Sequence, residues 1–301
     1  LTLVFFIFSF VPDPARELAG QTERESVVQA FRHKHGLDLP IYSRYISFIS
    51  NAAIGDLGSS YITDRPVTDS IKGALPATLI LASVAMFFAT FFGIMIGLVL
   101  AIFPESRIGD IVLSICALGM SAPSFVVAIL VAWLFGYVLH SYTHLPMTGG
   151  MIIVDPFEGP RLAWAHLILP AFTLGIRPLA VIIQLSRNSA IEVLGAPYIR
   201  TARAKGLSRS RILLHHVLRN SLNPVLTATS GWFASMLAGA VFVEFVFGWK
   251  GMGLLMFNAL ESGDLPIVMG CTLVISSIFV LINVAVDLLY GILDPRVRSS
   301  R

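Results

Sequence analysis

The strongest constraint on the fold of this chain is a series of long apolar runs. Residues 75–103 contain no Asp, Glu, Lys or Arg, and runs with at most one charged residue occupy 111–139, 163–186, 223–247 and 265–292. A membrane-spanning helix needs about 20 mainly apolar residues, so each of these five runs is long enough to cross a bilayer. A shorter run ends at Pro12 and is interpreted as the end of a first spanning helix that is cut short. The pattern predicts an all-α polytopic membrane protein with about six transmembrane helices.

Composition supports this fold class. The chain is 55% hydrophobic and only 13% charged, with a net charge of +3. Soluble domains average about 25% charged residues. The net charge is also too small and too localised for a nucleic-acid-binding protein, so the expected surroundings are a lipid bilayer and no nucleic acid.

Three features predict irregular or close packing within the spans. Gly93 and Gly97 form a small-xxx-small pair, which permits two helices to approach closely. Residues 121–124 (Ser-Ala-Pro-Ser) are expected to interrupt a span. A local break is also expected at Arg177-Pro178, because the residue before a proline is disfavoured in helical conformation.

The predicted domain organisation follows from where the apolar runs lie. Residues 1–12 are assigned to the first transmembrane helix and residues 13–75 to an extracytoplasmic subdomain, with helices expected at 23–34 and 41–54. Residues 76–301 are assigned to a core of five transmembrane helices. This core contains a basic connection, residues 188–222, that is expected on the cytoplasmic side because Lys and Arg are enriched there.

The basic connection has the pattern of a helix, a turn and a second helix. Between Tyr198 and Pro224 there are six Lys or Arg residues and no Asp or Glu. Gly206 is a typical helix stop and Ser208 a plausible start for the next helix, whose apolar side would carry residues 212, 213, 217 and 218. The segment is either a charged loop that fixes topology or a surface that docks a soluble partner, and both roles can hold together.

The same segment resembles the coupling motif of permease subunits of ABC importers. Arg200-Thr201-Ala202 takes the place of a Glu-Ala-Ala-like triplet and Gly206 the place of the glycine that follows it. The Leu-Pro that usually closes the motif falls on Leu218 and Arg219, so the proline is missing. Tyr198-Ile-Arg-Thr-Ala-Arg-Ala-Lys-Gly206 is similar to the form found in the dipeptide/oligopeptide branch, which includes nickel and opine importers.

Further motifs carry this resemblance along the chain in the expected order. They are Asp13-Pro-Ala-Arg16, Gly36-Leu-Asp-Leu-Pro40, Gly55-Asp-Leu-Gly58, Leu75-Pro-Ala-Thr-Leu79, and Glu244-Phe-Val-Phe-Gly-Trp-Lys-Gly-Met-Gly253. The last departs from the family at Lys250, where a proline is usual. The chain therefore resembles the first (B-type) permease of these importers, which implies a type I ABC importer permease fold with an outer subdomain after the first helix.

The resemblance also implies a function and a set of partners. The chain would be a transport subunit without enzymatic activity or a cofactor of its own, in a bacterial or archaeal cytoplasmic membrane. Its implied partners are a second homologous permease, an extracytoplasmic substrate-binding protein and two cytoplasmic ATPases, which would hold ATP and Mg²⁺. The solute stays open among peptides, nickel chelates, opines and glutathione. The residues implied in ATPase coupling are Arg200, Thr201, Ala202, Arg203, Ala204, Lys205, Gly206, Leu207, Leu218, Arg219 and Asn220.

Three charged residues in or near the spans are candidates for the pathway or a gate: Arg177, Glu244 and Asp287. An arginine at the centre of a spanning helix costs about 2.5–3.5 kcal/mol on insertion scales and usually faces protein or water. Arg177 either binds a substrate carboxylate or has a structural role, paired with backbone carbonyls or with a neighbouring subunit. Glu244 either gates the outer mouth or supports the adjacent loop.

One alternative function uses the same charges differently. In a self-contained channel or ion-coupled carrier, Arg177, Glu244 and Asp287 would form the transport site, and the basic connection would only fix topology. The sequence contains no Gly-x-x-x-x-Gly-Lys-Ser/Thr motif, so this chain is not itself the ATPase.

Overall fold

The computed structural model describes residues 2–9, 25–155 and 159–293, and almost all of its regular structure is helical. The helices before the central loop are α1 (Thr2–Ser9), α2 (Glu25–Lys34), α3 (Ile41–Ala53), α4 (Val67–Ile102), α5 (Arg107–Ser121), α6 (Ser124–Val131, continued by a π-helical segment Ala132–Val138) and α7 (His140–Thr143). An antiparallel hairpin of β1 (Ile152–Asp155) and β2 (Gly159–Leu162) follows. The remaining helices are α8 (Ala165–Gly195), α9 (Pro197–Ala204), α10 (Arg209–Arg211, continued by a π-helical segment Ile212–Val217), α11 (Leu218–Gly239), α12 (Val241–Phe247), α13 (Met252–Glu261) and α14 (Leu265–Leu293).

Three of these helices are long and apolar enough to cross a membrane alone: α4, α8 and, within α14, residues Leu265–Val286. Two bent pairs also pass the same test if each counts as one span. These are α5 with α6 and its continuation, and Pro224–Leu237 with α12. The described residues therefore hold up to five spans, in agreement with the five complete spans expected from the sequence.

The predicted interruption of the second complete span is confirmed. α5 ends at Ser121, Ala122 and Pro123 are extended, and the chain resumes as α6 at an angle of 112°. The predicted break at Arg177-Pro178 is wrong, because α8 runs without interruption through both Pro170 and Pro178. A proline removes one backbone donor, but a helix packed among neighbours tolerates that loss inside a membrane. A break that was not predicted separates α11 from α12 near Ala240, with a bend of 58°.

The close helix approach expected at Gly93 and Gly97 is also confirmed. A Cβ atom on Gly93 would lie 2.6 Å from the Ile182 side chain, and one on Gly97 would lie 2.6 Å from Cβ of Ser186. Real Cβ atoms essentially never approach so closely, so only glycine permits this crossing of α4 and α8. The crossing matters for the site because α8 leads directly into α9.

The chain divides into two compact units. The first comprises Leu1–Thr78 and Lys250–Ile278, and the second Leu79–Trp249 and Phe279–Arg301. Helices α2 and α3 of the first unit lie where the sequence predicts them. The core of this unit also includes Met252, Ala259 and Ile267 from the second half of the chain, a contribution that the sequence did not indicate.

Some expected features lie outside the described residues. They are the Asp13–Arg16 motif, the end of the first span at Pro12, and the basic tail after Leu293. The side chain of Asp287 also lies outside the described set, although its backbone belongs to α14.

Candidate coupling surface and pathway

The basic connection contains a short amphipathic helix, α9. Pro197 occupies its first turn, where a missing backbone donor costs nothing because that N–H has no partner within the helix. Ile199 and Ala202 are buried on one side of α9 in a core that includes Ala101, Ala190 and Val217. The opposite side is exposed and carries Arg200, Thr201, Arg203, Ala204 and Lys205.

Gly206 ends α9 in a left-handed conformation with φ of +76°. Its backbone N–H donates to the carbonyl of Arg203 at 3.0 Å, and the N–H of Leu207 donates to the carbonyl of Ala202 at 3.2 Å. These two bonds form a Schellman cap, in which a left-handed residue satisfies the last carbonyls of a helix. The predicted stop at Gly206 is therefore confirmed, and the cap fixes the direction in which the chain leaves α9.

The second half of the connection follows without a break into a transmembrane helix. Ile212 and Val217 are buried and Leu213 and Leu218 are half-buried, so the predicted apolar side is confirmed. Residues 212–217 form a π-helical segment, which the sequence did not predict. Arg219 and Asn220 are exposed, and Asn220 Nδ2 donates to the carbonyl of His216 at 2.6 Å.

Structure and sequence differ in what they assign to Ala202. The resemblance places it within the ATPase-coupling set, yet its side chain is only 9% exposed and packs against the chain's own helices. Ala202 therefore supports the coupling segment from inside. The exposed members of the set are Arg200, Thr201, Arg203, Ala204, Lys205, Gly206, Arg219 and Asn220, which we call the coupling surface.

A groove of about 370 Å³ opens beside this surface. Its walls are apolar apart from Arg203, and the other lining residues are Ile102, Leu194, Leu207, Ile212 and Leu213. An apolar groove edged by a guanidinium is chemically suited to a side chain that is apolar along its length and acidic at its tip.

Arg177 lies on α8 beside a small cavity in the second unit. One of its guanidinium nitrogens, Nη2, donates to the carbonyl of Met120 at 3.2 Å, and the side chain is otherwise exposed. The cavity measures about 170 Å³, and its polar lining includes Thr173, Ser235 and Trp232. The structure is thus compatible with a structural role for Arg177, through its bond to a backbone carbonyl. It is equally compatible with a ligand-binding role, because the guanidinium also borders a cavity. No sequence pattern indicated Thr173, Trp232 or Ser235 as neighbours of Arg177.

Glu244 is fully buried in the second unit, at 0% exposure. Its backbone carbonyl accepts from the N–H of Trp249 at 2.8 Å across a turn in which Gly248 has φ of +64°. Burial at this turn favours the loop-supporting role over a gate. Glu244, Arg177 and Asp287 all remain predictions as pathway residues.

Two of the motifs that carry the family resemblance meet in the first unit. The hydroxyl oxygen of Thr78 accepts from the backbone N–H of Met252 at 2.7 Å. This bond satisfies a free donor in the first turn of α13. In the sequence, Thr78 stands out as a polar residue inside an apolar run. Its partner, Met252, lies too far along the chain to be identified from the sequence.

The chain matches two family descriptions. Residues 93–299 match "Binding-protein-dependent transport system inner membrane component", and residues 1–82 match "Binding-prot-dependent transport system membrane comp, N-term". Together they cover both units and the whole coupling surface.

Characterised relatives match over nearly the full chain. The di/tripeptide transport system permease protein DppB of Pseudomonas aeruginosa is 37% identical, with 99% of this chain and 94% of that protein covered. The glutathione transport system permease protein GsiC of Escherichia coli O6:H1 is 36% identical, with 98% and 92% covered. The dipeptide transport system permease protein DppB of Escherichia coli K12 is 36% identical, with 100% and 95% covered.

Solved structures show the same fold at low sequence identity. The methionine ABC transporter MetNI in inward-facing conformations aligns with a TM-score of 0.58 and 17% identity, covering 74% of this chain and 96% of the other. A structure of an amino acid ABC transporter with histidines aligns with a TM-score of 0.54 and 13% identity, covering 75% and 95%. The expected type I ABC importer permease fold is thus confirmed, and these findings favour a permease over a self-contained channel or carrier. The chain belongs to the family of binding-protein-dependent transport system inner membrane components and is a membrane-spanning permease subunit.

Proposed function

We propose that this permease forms half of the translocation pathway of an ATP-driven importer for peptides or related small solutes. The names of its relatives support this solute class, since they describe transport of di- and tripeptides, dipeptides and glutathione. The proposed location is the cytoplasmic membrane of a bacterium or archaeon.

The proposed assembly contains a second homologous permease, two cytoplasmic ATPases and an extracytoplasmic substrate-binding protein. ATP and Mg²⁺ belong to the ATPases, whereas this chain holds no cofactor and catalyses no reaction. Its task is to convert a movement of the ATPases into a movement of spanning helices between two conformational states.

The observation that carries the proposal is the construction of the coupling surface. α9 buries Ile199 and Ala202 and ends in a rigid glycine cap, so its exposed cations are held on a fixed frame. The chain then continues through the π-helical segment into α11. Force applied to α9 therefore reaches a spanning helix through bonded structure and through a shared apolar core.

Co-purification from the native membrane tests this role. We expect two ATPase subunits to accompany the wild-type chain, and Lys205→Glu to weaken their retention severalfold by reversing one exposed charge. Lys72→Glu is the control, because Lys72 is an exposed lysine on α4 that belongs to the first unit, whereas the coupling surface belongs to the second. A chain that purifies alone and supports uptake without ATP would contradict the proposal.

Arg177 is proposed to bind a substrate carboxylate in the pathway. Arg177→Ala should raise the KM for a peptide with a free carboxylate and leave the KM for its C-terminal amide nearly unchanged. A purely structural role through the Met120 carbonyl would affect both substrates equally. Normal transport of both peptides by Arg177→Ala would eliminate the idea.

A further inference from the structure

The first unit contains a second cavity, separate in sequence and chemistry from the coupling surface and from Arg177. It measures about 390 Å³ and we call it the first-unit pocket. Its polar lining includes Lys34, His35, Arg44, Asn51, Asp56 and Tyr61. Its apolar lining includes Phe5, Leu39, Phe48, Leu265 and Met269.

His35 is the most informative residue of this pocket. Its side chain is only 8% exposed, held between the rings of Phe31 at 4.4 Å and Tyr61 at 4.8 Å between ring centroids. Within the described part of the chain, its Nε2 atom is buried and makes no hydrogen bond. The closest carboxylate oxygen, Oδ1 of Asp64, is 4.0 Å away, beyond hydrogen-bond range. A buried polar atom without a partner costs free energy, so a hydrogen-bonding group that enters this pocket would be stabilised by His35.

The carboxylates near the pocket are already engaged. Asp64 pairs with the Lys34 ammonium at 2.6 Å, and Asp56 accepts from the N–H of Gly58 at 2.9 Å. Asp264 accepts from the Ser60 hydroxyl at 2.5 Å and from the N–H of Tyr61 at 3.1 Å.

Arg44 supplies the charge of the polar side. It lines the pocket, is half-buried, and lies near enough to the Tyr61 side chain to interact with it electrostatically. A guanidinium has five N–H donors, which are available to a ligand in the pocket. Lys34 is paired with Asp64 and Asp56 with a backbone N–H, so the polar side of the pocket offers an anion the Arg44 guanidinium and the further donors of Asn51 and Tyr61.

The apolar side of the pocket comes from helices that border the membrane. Phe5 belongs to α1, which is almost entirely apolar, and Leu265 and Met269 open the membrane-spanning part of α14. These three residues form one buried cluster, against which Tyr45, Phe48 and Tyr61 pack. A cationic group beside apolar side chains at the end of a span matches the two-part chemistry of a phospholipid, a charged head group joined to an apolar acyl chain.

We propose that the first-unit pocket binds the phosphate group of an anionic phospholipid, with Arg44 and His35 at the phosphate and the Phe5–Met269 side at the start of an acyl chain. This site lies outside the coupling and transport roles proposed above. Its test needs no transport assay, so its failure leaves the proposed function untouched.

Native mass spectrometry of the full chain in detergent tests the proposal. Phosphatidylglycerol is titrated in one series, phosphatidylcholine with the same acyl chains in a second, and inorganic phosphate is added as a competitor in a third. We expect one saturable phosphatidylglycerol site per chain and weaker binding of phosphatidylcholine, whose head group carries no net charge. Competition by millimolar phosphate would assign the recognition to the phosphate group alone, and resistance to competition would assign it to the whole lipid.

Two variants and one control locate the site. Arg44→Gln should weaken phosphatidylglycerol binding roughly tenfold, the effect of losing a charge-assisted hydrogen bond. His35→Phe keeps a ring between Phe31 and Tyr61 but removes Nε2, and should weaken binding severalfold. Arg65→Gln removes an exposed arginine of the same unit that does not line the pocket, and should bind like the wild type.

Two results would overturn the proposal. One is the absence of saturable phosphatidylglycerol binding to the wild-type chain. The other is an equal loss of binding in Arg44→Gln and Arg65→Gln, which would reveal a diffuse charge effect rather than a site.

Discussion

Glycine is required at position 206 because the backbone there is left-handed, not because a side chain would lack space. A Cβ atom there would meet nothing within 4 Å, but φ is +76°, where side chains other than glycine are strained. The left-handed conformation costs an L-residue about 1–2 kcal/mol. Because Gly206 forms the cap of α9, the same strain would weaken the cap and with it the fixed orientation of the coupling surface.

Replacing Gly206 should therefore loosen α9 without disturbing its surroundings. We expect Gly206→Ala to lower the free energy of opening of the α9 amides by about 1 kcal/mol in hydrogen exchange. Gly206→Asn should lower it less, because asparagine tolerates the left-handed region. Gly195→Ala is the matched control, since Gly195 also has open space around it but no positive φ. Equal loss in the control would show that φ at Gly206 is not the cause.

The burial of His35 has a consequence for stability against pH. Burial, assisted by the neighbouring Lys34 charge, lowers the pKa of His35 below 6.5, although Asp64 and Asp264 oppose the shift. Between 6.5, the pKa of an unperturbed histidine, and the lower pKa of His35 in the folded chain, the unfolded chain binds more protons than the folded chain. Stability is therefore lost on acidification, while Asp64 stays ionised because the Lys34 hydrogen bond lowers its own pKa.

We expect the thermal unfolding temperature of the purified chain to decrease as the pH is lowered from about 7 to about 5. His35→Phe should reduce this dependence, because a phenyl ring occupies the same aromatic contacts without titrating. His33→Phe serves as the control, as His33 is an exposed neighbour on α2. If the two variants show the same pH dependence, the contribution of His35 is not the one described.

Among the helices, the crossing of α4 and α8 is set by two glycines. At Gly97 a Cβ atom would lie 2.8 Å from the carbonyl oxygen of Ile183 and 3.0 Å from the nitrogen of Arg187. Those atoms belong to the α8 backbone and cannot rotate away. Even one methyl group therefore forces the two helices apart.

Gly97→Ala should destabilise the chain by about 1–3 kcal/mol, the usual cost of overpacking. Gly73→Ala on the same helix should be neutral or slightly stabilising, because that position faces open space and alanine favours helix. Thermal unfolding of both variants in the same detergent provides the comparison. A stable Gly97→Ala variant would mean that the helices separate at little cost.

Helix ends and turns were predictable because their causes are local. The stop at Gly206 and the Ala122-Pro123 break each follow from the conformational limits of one or two residues. Pro178 did not behave this way, because neighbouring helices hold α8 together around it. The burial of Ala202 was likewise unpredictable, since it depends on Ala101 and Ala190, which lie on other helices.

Across the whole molecule, the sequence could name spans but not the surfaces that they form together. Residues 83–90 of α4, 226–233 of α11 and 282–286 of α14 line a groove of about 510 Å³ in the second unit. Its polar members are Ser83, Thr90, Thr229 and Ser230. The juxtaposition of three distant segments requires the packed structure, as does the contribution of residues 250–278 to the first unit.

If this groove lines the proposed pathway, a cysteine placed there should meet water. We expect Ser230→Cys to react with a membrane-impermeant cationic thiol reagent, and the solute to slow the reaction. Val284→Cys should stay unreactive, because it lies two residues from Ile282 and so on the opposite face of α14. The two native cysteines are 7% and 0% exposed, which keeps the background low. Reaction at position 284 alone would place the water on the other side of α14.

The uninterrupted passage from α10 into α11 makes this part of the molecule a lever. Residues Leu218–Gly239 alone span about 33 Å at 1.5 Å per residue. A tilt of only about 5° at the cationic end swings the far end by about 3 Å over that length. The bend near Ala240 then lies at the tip of the lever, where displacement is greatest and the fully buried turn of Glu244 and Trp249 begins. A small tilt at the cationic end would thus become a displacement of atomic-contact size at the far end of α11.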